Sequence, residues 1–246
     1  MNIYHITYSP ETKIACLHFW GCSLDCRGCL LKKELCDCHL EETKRSVLDP
    51  AKKNALTPQR FLSLDDTQRI LLKLEIKETV LMGAEAALDP ELPPLTKFLH
   101  DSFGSHNVLL TNGFVIPDLE DIDEVVFSLK AYTDQLHRDY TGKGNENALG
   151  NFVRYCHSGV KLRTESVLIP GYIDCAEIDK ISGFIGEHDS RIPYRIDAFI
   201  PFGDNPWRRP TLQEMENAVN VARKNLAQVT CLTGNETLKY EVLTVV

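Results

Sequence analysis

The feature that most limits what this chain can fold into is a recurrence of short apolar runs, each closed by a polar or glycine-bearing triplet. The runs are Ile14 to Trp20, Glu78 to Met82, Asn107 to Leu110, Glu124 to Leu129, Val160 to Ile169 and Tyr194 to Pro201. They are short, with little alternation, as expected of strands covered on both faces. Helical spacing predicts helices over 58–75, 93–100 and 146–157. Asp174 reads as an N-cap for a helix bearing Ile178, Ile181 and Ile185. Thr211-x-x-Glu214 reads as a capping box for one that turns Leu212, Met215, Val219, Ala222 and Leu226 inward. Residues 1–13 and Lys239 to Val246 read as edge strands, and 135–145 as a polar loop. Strands alternating with helices form parallel βαβ units with right-handed crossovers. Six such strands predict an α/β fold, a partial (β/α)6 barrel, in a single domain over 1–246. The triplets then gather on the rim at the strands' C-terminal ends, where such folds keep their chemistry.

The first strand delivers His18-Phe19-Trp20-Gly21-Cys22-Ser23-Leu24-Asp25-Cys26-Arg27-Gly28-Cys29. Cysteines spaced x3 and then x2 on so short a loop can converge on one point, which favours a metal centre. Thiolates are the usual ligands of iron–sulfur clusters, and a [4Fe–4S] cube normally takes four. Three local thiolates leave one iron without a protein ligand, and an open coordination position separates a reactive site from a structural one. Two blander readings stand beside it: a zinc knob drawing a fourth ligand from His18, Cys36, Cys38 or His39, and ordinary reduced thiols.

Cys22-x3-Cys26-x2-Cys29 after a strand resembles the radical S-adenosylmethionine (radical SAM) enzymes. The resemblance implies that Cys22, Cys26 and Cys29 ligate a [4Fe–4S] cluster whose fourth iron binds the amino and carboxylate groups of S-adenosylmethionine. One-electron reductive cleavage then yields methionine and a 5′-deoxyadenosyl radical that takes a hydrogen atom from the substrate. Gly83-Ala84-Glu85 resembles the family's Gly-Gly-Glu motif, which binds the cofactor's amino group. Small residues allow close backbone approach and a carboxylate suits an ammonium. Thr111-Asn112-Gly113-Phe114 and Ser128-Leu129-Lys130, followed by His137, Gly142 and Asn145, look like segments of the glycyl-radical-enzyme activases such as pyruvate formate-lyase-activating enzyme. Arg163, Pro170-Gly171 and Pro201-Phe202 continue the likeness.

The expected cofactor-binding set is therefore Gly83, Ala84, Glu85, Asn112, Ser128 and Lys130. Lys130 joins the three cysteines as catalytic, since a fixed cation at the rim can meet the cofactor carboxylate. There are departures. Leu110 and Ser128 stand where the activases carry aspartates, which removes two ligands of their monovalent-cation site. Gly28 stands where an aromatic usually precedes the third cysteine, so adenine must stack elsewhere or rely on backbone contacts. An eight-cysteine ferredoxin insert is absent.

As no second cluster or flavin motif is visible, the resemblance implies flavodoxin or ferredoxin as electron donor. The open side of a six-stranded barrel suits a bulky substrate, so a glycyl radical enzyme is the expected partner, its backbone glycine converted to a radical. Radical modification of another peptide or of a small metabolite is the second reading, and a non-catalytic metal-binding protein the third. The formal charge of −8 and pI near 5.5 argue against a nucleic-acid or anionic-membrane surface. There is no run of eighteen apolar residues and no signal-peptide pattern, which predicts a cytoplasmic protein. Nine cysteines without an export signal read as reduced thiols, some of them metal ligands.

Overall fold

The computed structural model describes residues 1–35, 37, 40, 43 and 55–246. Cys36, Cys38 and His39, singled out above, lie outside them.

Among the described residues a single sheet of nine strands organises the chain: β1 (Ile3–Ser9), β2 (Ile14–Phe19), β3 (Glu78–Gly83), β4 (His106–Thr111), β5 (Glu124–Ser128), β6 (Lys161–Leu168), β7 (Tyr194–Ala198), β8 (Val229–Leu232) and β9 (Leu243–Thr244). Its order is β8-β7-β6-β5-β4-β3-β2-β1-β9. Neighbours from β2 to β8 are parallel, while β1 runs antiparallel to both β2 and β9. The six expected parallel strands are all present, and β8 extends them to a seventh. Only two residues of the expected C-terminal strand join the sheet, and β1 is covered by them rather than being the edge itself. With β8 and β9 at the two ends, the curved sheet is a partial barrel.

Six described α-helices cross between strands: α1 (Leu64–Leu71), α2 (Leu92–Phe103), α3 (Asp134–Thr141), α4 (Glu146–Cys156), α5 (Cys175–Asp189) and α6 (Leu212–Ala222). Two starts follow the caps expected from sequence. Asp174 accepts from the Ala176 N–H, and Thr211 and Glu214 close a reciprocal capping box. Three expectations fail, the first being the polar loop over 135–145, most of which is α3. The helix expected from Pro58 starts only at Leu64, because Ser63 caps the Asp66 N–H while Leu62 pairs with Ile3 as a bridge. Leu212, expected inward, is 64 % exposed; its place just after the cap turns it away from the face that Met215, Ala218 and Val219 bury. Among the described residues no helix is long and apolar enough to cross a membrane.

The core lies between the helices and the outer face of the sheet. Leu17, Phe19, Leu81, Leu109, Val125, Phe127, Leu168, Tyr194 and Ile196 are all essentially inaccessible there. Phe127 meets Phe152 and Tyr155 of α4 edge-on, at 5.4 and 5.6 Å between centroids. Because side chains alternate along a strand, the intervening residues line the concave face: Val80, Met82, Val108 and Leu110 on β3 and β4, Arg163 and Glu165 on β6, Arg195 and Asp197 on β7. Ser128 ends β5 on that same face, at the rim where β2 delivers the cysteines.

Candidate radical-chemistry site

The cysteine loop is held by backbone bonds at its two sides. Gly21 turns the chain out of β2 with φ +93°, which a residue with a Cβ rarely adopts. The N–H groups of Asp25 and Arg27 then donate to the carbonyls of Thr141 and Tyr140, at 2.8 and 2.9 Å, and so satisfy the C-terminal end of α3. Arg27 lies over the Trp207 ring, 4.7 Å from its centroid, and pairs with Asp139 at 2.7 Å. Cys22 is exposed, and Cys26 and Cys29 are half-buried.

The sulfur of Cys22 accepts from the Leu24 N–H at 3.4 Å and from the Asn112 side-chain amide at 3.3 Å, which ties the tip of β4 to the loop after β2. Burial raises the Cys26 thiol to about 11, and the surrounding loop desolvates the Cys22 sulfur enough to raise it as well, although the residue as a whole is exposed. Among the described residues no group of three or more His, Cys, Asp or Glu is drawn close enough for a single ion. An iron–sulfur cube spreads its ligands more widely, and thiolates such as the three on this loop are its usual donors. His18, a candidate fourth ligand for zinc, is buried on the concave face and faces Thr7 and Asp37, with Nε2 3.4 Å from the Thr7 hydroxyl and 3.5 Å from the Asp37 carboxylate.

Gly83 ends β3 with φ +102°, and the Ala84 N–H donates to the Phe19 carbonyl at 2.8 Å. Glu85 is 1 % exposed and spends both carboxylate oxygens on protein donors. One accepts from Thr111 Oγ1 at 2.8 Å and the Ala87 N–H at 3.2 Å, the other from the Asn112 N–H at 2.8 Å. Burial raises its carboxyl, and the Asn112, Thr111 and Ala87 donors offset part of that rise. This carboxylate binds the β3 tip to the β4 tip. In Glu85→Gln one of those donors would face an amide NH2, and leaving it unpaired costs about 1–3 kcal/mol. The unfolding midpoint is expected to fall by roughly 2–4 °C for each kcal/mol in a chain of this size, read by thermal denaturation.

Ser128 ends β5, and its hydroxyl accepts from the Lys130 ammonium at 2.6 Å. Burial pulls the Lys130 pKa down, but the thiolates of Cys26, Cys29 and Cys22 and the Glu165 carboxylate outweigh it and hold the lysine above its usual value. The loops after β2, β3, β4 and β5 thus come together at one rim. Below Lys130, Arg195 forms a two-pronged pair with Asp197 and a further pair with Glu165 at 2.5 Å. Burial pushes the Asp197 carboxyl up to about 6 against the pull of Arg195.

Other residues of the sequence likeness serve the frame. His137, within the segment expected to be a loop, lies on α3, is 1 % exposed and donates through Nδ1 to the Lys143 carbonyl at 2.6 Å. Gly142 ends α3 in the left-handed conformation, and the Asn145 amide donates to the Tyr132 carbonyl. Arg163 pairs with Glu124 at the opposite end of the strands from the rim. Gly171, with φ +72°, makes the turn after β6. The Pro201 carbonyl accepts from the fully buried Lys33 at 3.3 Å, a bridge from the cysteine loop to the end of β7.

Sequence reasoning missed Tyr140 and Phe199. A Cβ on Gly28 would lie 2.8 Å from the Tyr140 hydroxyl and 2.9 Å from the Phe199 ring. The aromatic missing at Gly28 is therefore replaced by two from α3 and the end of β7, and only the missing side chain at 28 hinted at the space they fill.

Comparison with known proteins agrees with this frame. The radical SAM superfamily profile matches residues 17–182. A Methanocaldococcus jannaschii protein, provisionally described as a glycyl-radical enzyme activating enzyme, is 29% identical over 240 residues, 94% of this chain and 84% of that one. Streptococcus suis SuiB bound to its precursor peptide SuiA superposes with a TM-score of 0.61 at 15% identity, over 85% of this chain and 46% of SuiB. The chain thus spans less than half the length of that structural relative. A domain of pyruvate-formate lyase-activating enzyme from Bacteroides vulgatus superposes with a TM-score of 0.51 at 18% identity, over 62% of this chain and 97% of the domain. With the profile covering more than half of its length, the chain belongs to the radical SAM superfamily, whose cofactors are a [4Fe–4S] cluster and S-adenosylmethionine.

Proposed function

We propose that this single-domain protein is a glycyl-radical-enzyme activase or a close relative of one, with Cys22, Cys26 and Cys29 as the cluster's protein ligands. The relative matched over 94% of the chain supports this reading most directly. When bound, the cluster and S-adenosylmethionine supply a 5′-deoxyadenosyl radical that abstracts hydrogen from a protein glycine.

The chain's own residues supply position and charge. Lys130, held by Ser128, presents a fixed cation to the cofactor carboxylate. The backbone at Gly83 and Ala84 and the amide of Asn112 border the cofactor's methionyl end, with Glu85 fixing Asn112 from behind. Tyr140, Phe199 and the buried turn of α3 exclude water from one flank of the loop. A flavodoxin or ferredoxin donates the electron.

A second reading, modification of another peptide or a small metabolite, draws on the ionic wall of Glu165, Arg195 and Asp197. A cavity of about 70 Å³, room for a water or two, lies between Glu165 and Arg195 of this wall and Arg163 and Pro193 at the end of the strands away from the rim. The test is anaerobic turnover of the iron- and sulfide-reconstituted chain with dithionite, S-adenosylmethionine and a glycyl radical enzyme from the same source carrying deuterated glycine. The activase reading expects deuterium in 5′-deoxyadenosine and a glycyl doublet in the electron paramagnetic resonance spectrum of the partner. Release of unlabelled 5′-deoxyadenosine with no doublet would favour the second reading.

A further inference from the structure

We propose that the Tyr140 hydroxyl donates a hydrogen bond to the sulfur face of the cluster beside Cys26 and Cys29, and that α3 thereby sets the cluster's reduction potential. This rests on Cys22, Cys26 and Cys29 being the cluster's ligands.

The end of α3 is locked to the motif. The last carbonyls of the helix, on Tyr140 and Thr141, accept the N–H groups of Arg27 and Asp25, so the Tyr140 side chain starts from a fixed point beside the loop. Its ring is packed among Ile169, Ile173, Phe199 and Cys26, with Trp207 and Tyr172 at 5.9 and 6.0 Å between centroids. Tyr140 is only 3 % exposed, so the ring has little freedom to move.

The hydroxyl bonds to no described residue, which leaves its proton available to an acceptor at the loop. It lies where a side chain at 28 would go, 2.8 Å from the position of a Cβ there, between the second and third cysteines. Besides its own burial, Cys26, Cys29 and Tyr172 lie near enough to bear on this phenol. Thiolate or sulfide is the acceptor that the position offers, and a bond to an ionised acceptor is the stronger kind. Reduction adds negative charge to the cluster, so a donor at its sulfurs stabilises the reduced state more than the oxidised one. Hydrogen bonds to the sulfurs are among the levers that set such potentials.

Removing the donor is expected to make the cluster harder to reduce. The experiment is a redox titration, followed by electron paramagnetic resonance, of the anaerobically reconstituted full-length chain as wild type, Tyr140→Phe and Gly28→Ala. Tyr140→Phe keeps the ring and its packing. Its one-electron reduction constant is expected to fall about tenfold, a midpoint lower by ~59 mV. Gly28→Ala, whose Cβ displaces the oxygen, is expected to shift the midpoint in the same direction. Tyr140→Phe with wild-type iron and sulfide content and an unchanged midpoint would overturn the proposal. So would an unchanged midpoint with weakened S-adenosylmethionine binding in equilibrium dialysis, which would assign the hydroxyl to the adenosine instead. Should Tyr140→Phe assemble no cluster, the midpoint of Gly28→Ala decides. A wild-type chain that assembles no cluster would overturn the ligand assignment and this inference together.

Discussion

Cys26→Ala is expected to lose the cluster and S-adenosylmethionine cleavage together. Cys26 is the middle ligand of the proposed three. Its amide neighbours on both sides, Asp25 and Arg27, are bonded to α3, so the loop cannot slide to bring another sulfur into its place. Among the described cysteines, Cys156 lies on α4, Cys175 on α5 and Cys231 on β8, none of which leads into the motif loop, while Cys16 is held within β2 between Thr7 and Val80 of the neighbouring strands. The substitution removes a half-buried side chain at the rim, so the fold is expected to survive it. The measurement is absorbance near 400 nm and 5′-deoxyadenosine release after reconstitution and reduction with dithionite, with far-ultraviolet circular dichroism as the control for folding. A variant that cleaves at the wild-type rate would show that the ligand set is wrong.

Gly83→Ala is expected to produce a large loss of stability. A Cβ there would meet the Phe19 carbonyl oxygen at 2.6 Å and the Phe19 nitrogen at 2.7 Å. Both are backbone atoms of the neighbouring strand, which no side-chain rotation can relieve. The residue also holds φ +102°, a conformation that costs a non-glycine residue about 1–3 kcal/mol before any clash. Together these put the loss at about 3 kcal/mol or more, roughly 10 °C in the unfolding midpoint for a chain of this length. Because Phe19 is the last residue of β2, relief of the clash would also move the base of the cysteine loop. Cluster incorporation is therefore expected to fall in the fraction that still folds. A melting temperature within 2 °C of wild type would refute this account of the glycine.

Much of this fold is legible in the sequence because the parallel strands are covered on both faces and read as apolar runs. The caps at Asp174 and Thr211 are equally plain, since their chemistry is local. What escaped has identifiable causes. The helix α3 hides in a stretch rich in polar residues, where Asp134, Gln135, Arg138 and Asp139 mask the three buried positions His137, Tyr140 and Thr141. The strand β8 is four residues long, too short to show a period.

At the rim, the order of the motifs along the chain foretold which loops would meet. It did not foretell that Glu85 would turn inward to Thr111 and Asn112, because a carboxylate's partners depend on the register of two strands. Nor did it show that aromatics from α3 and β7 would cover Gly28, since that contact joins positions more than a hundred residues apart.

The two halves of the concave face differ in kind, with aliphatic side chains from β3 and β4 opposite the linked ions of β6 and β7. Whatever enters is sorted by its own two-sidedness: hydrocarbon settles toward one half and hydrogen-bonding groups toward the other. A flexible chain would thus arrive with one edge already preferred, so the barrel narrows the orientations open to its guest before any recognition specific to that guest begins.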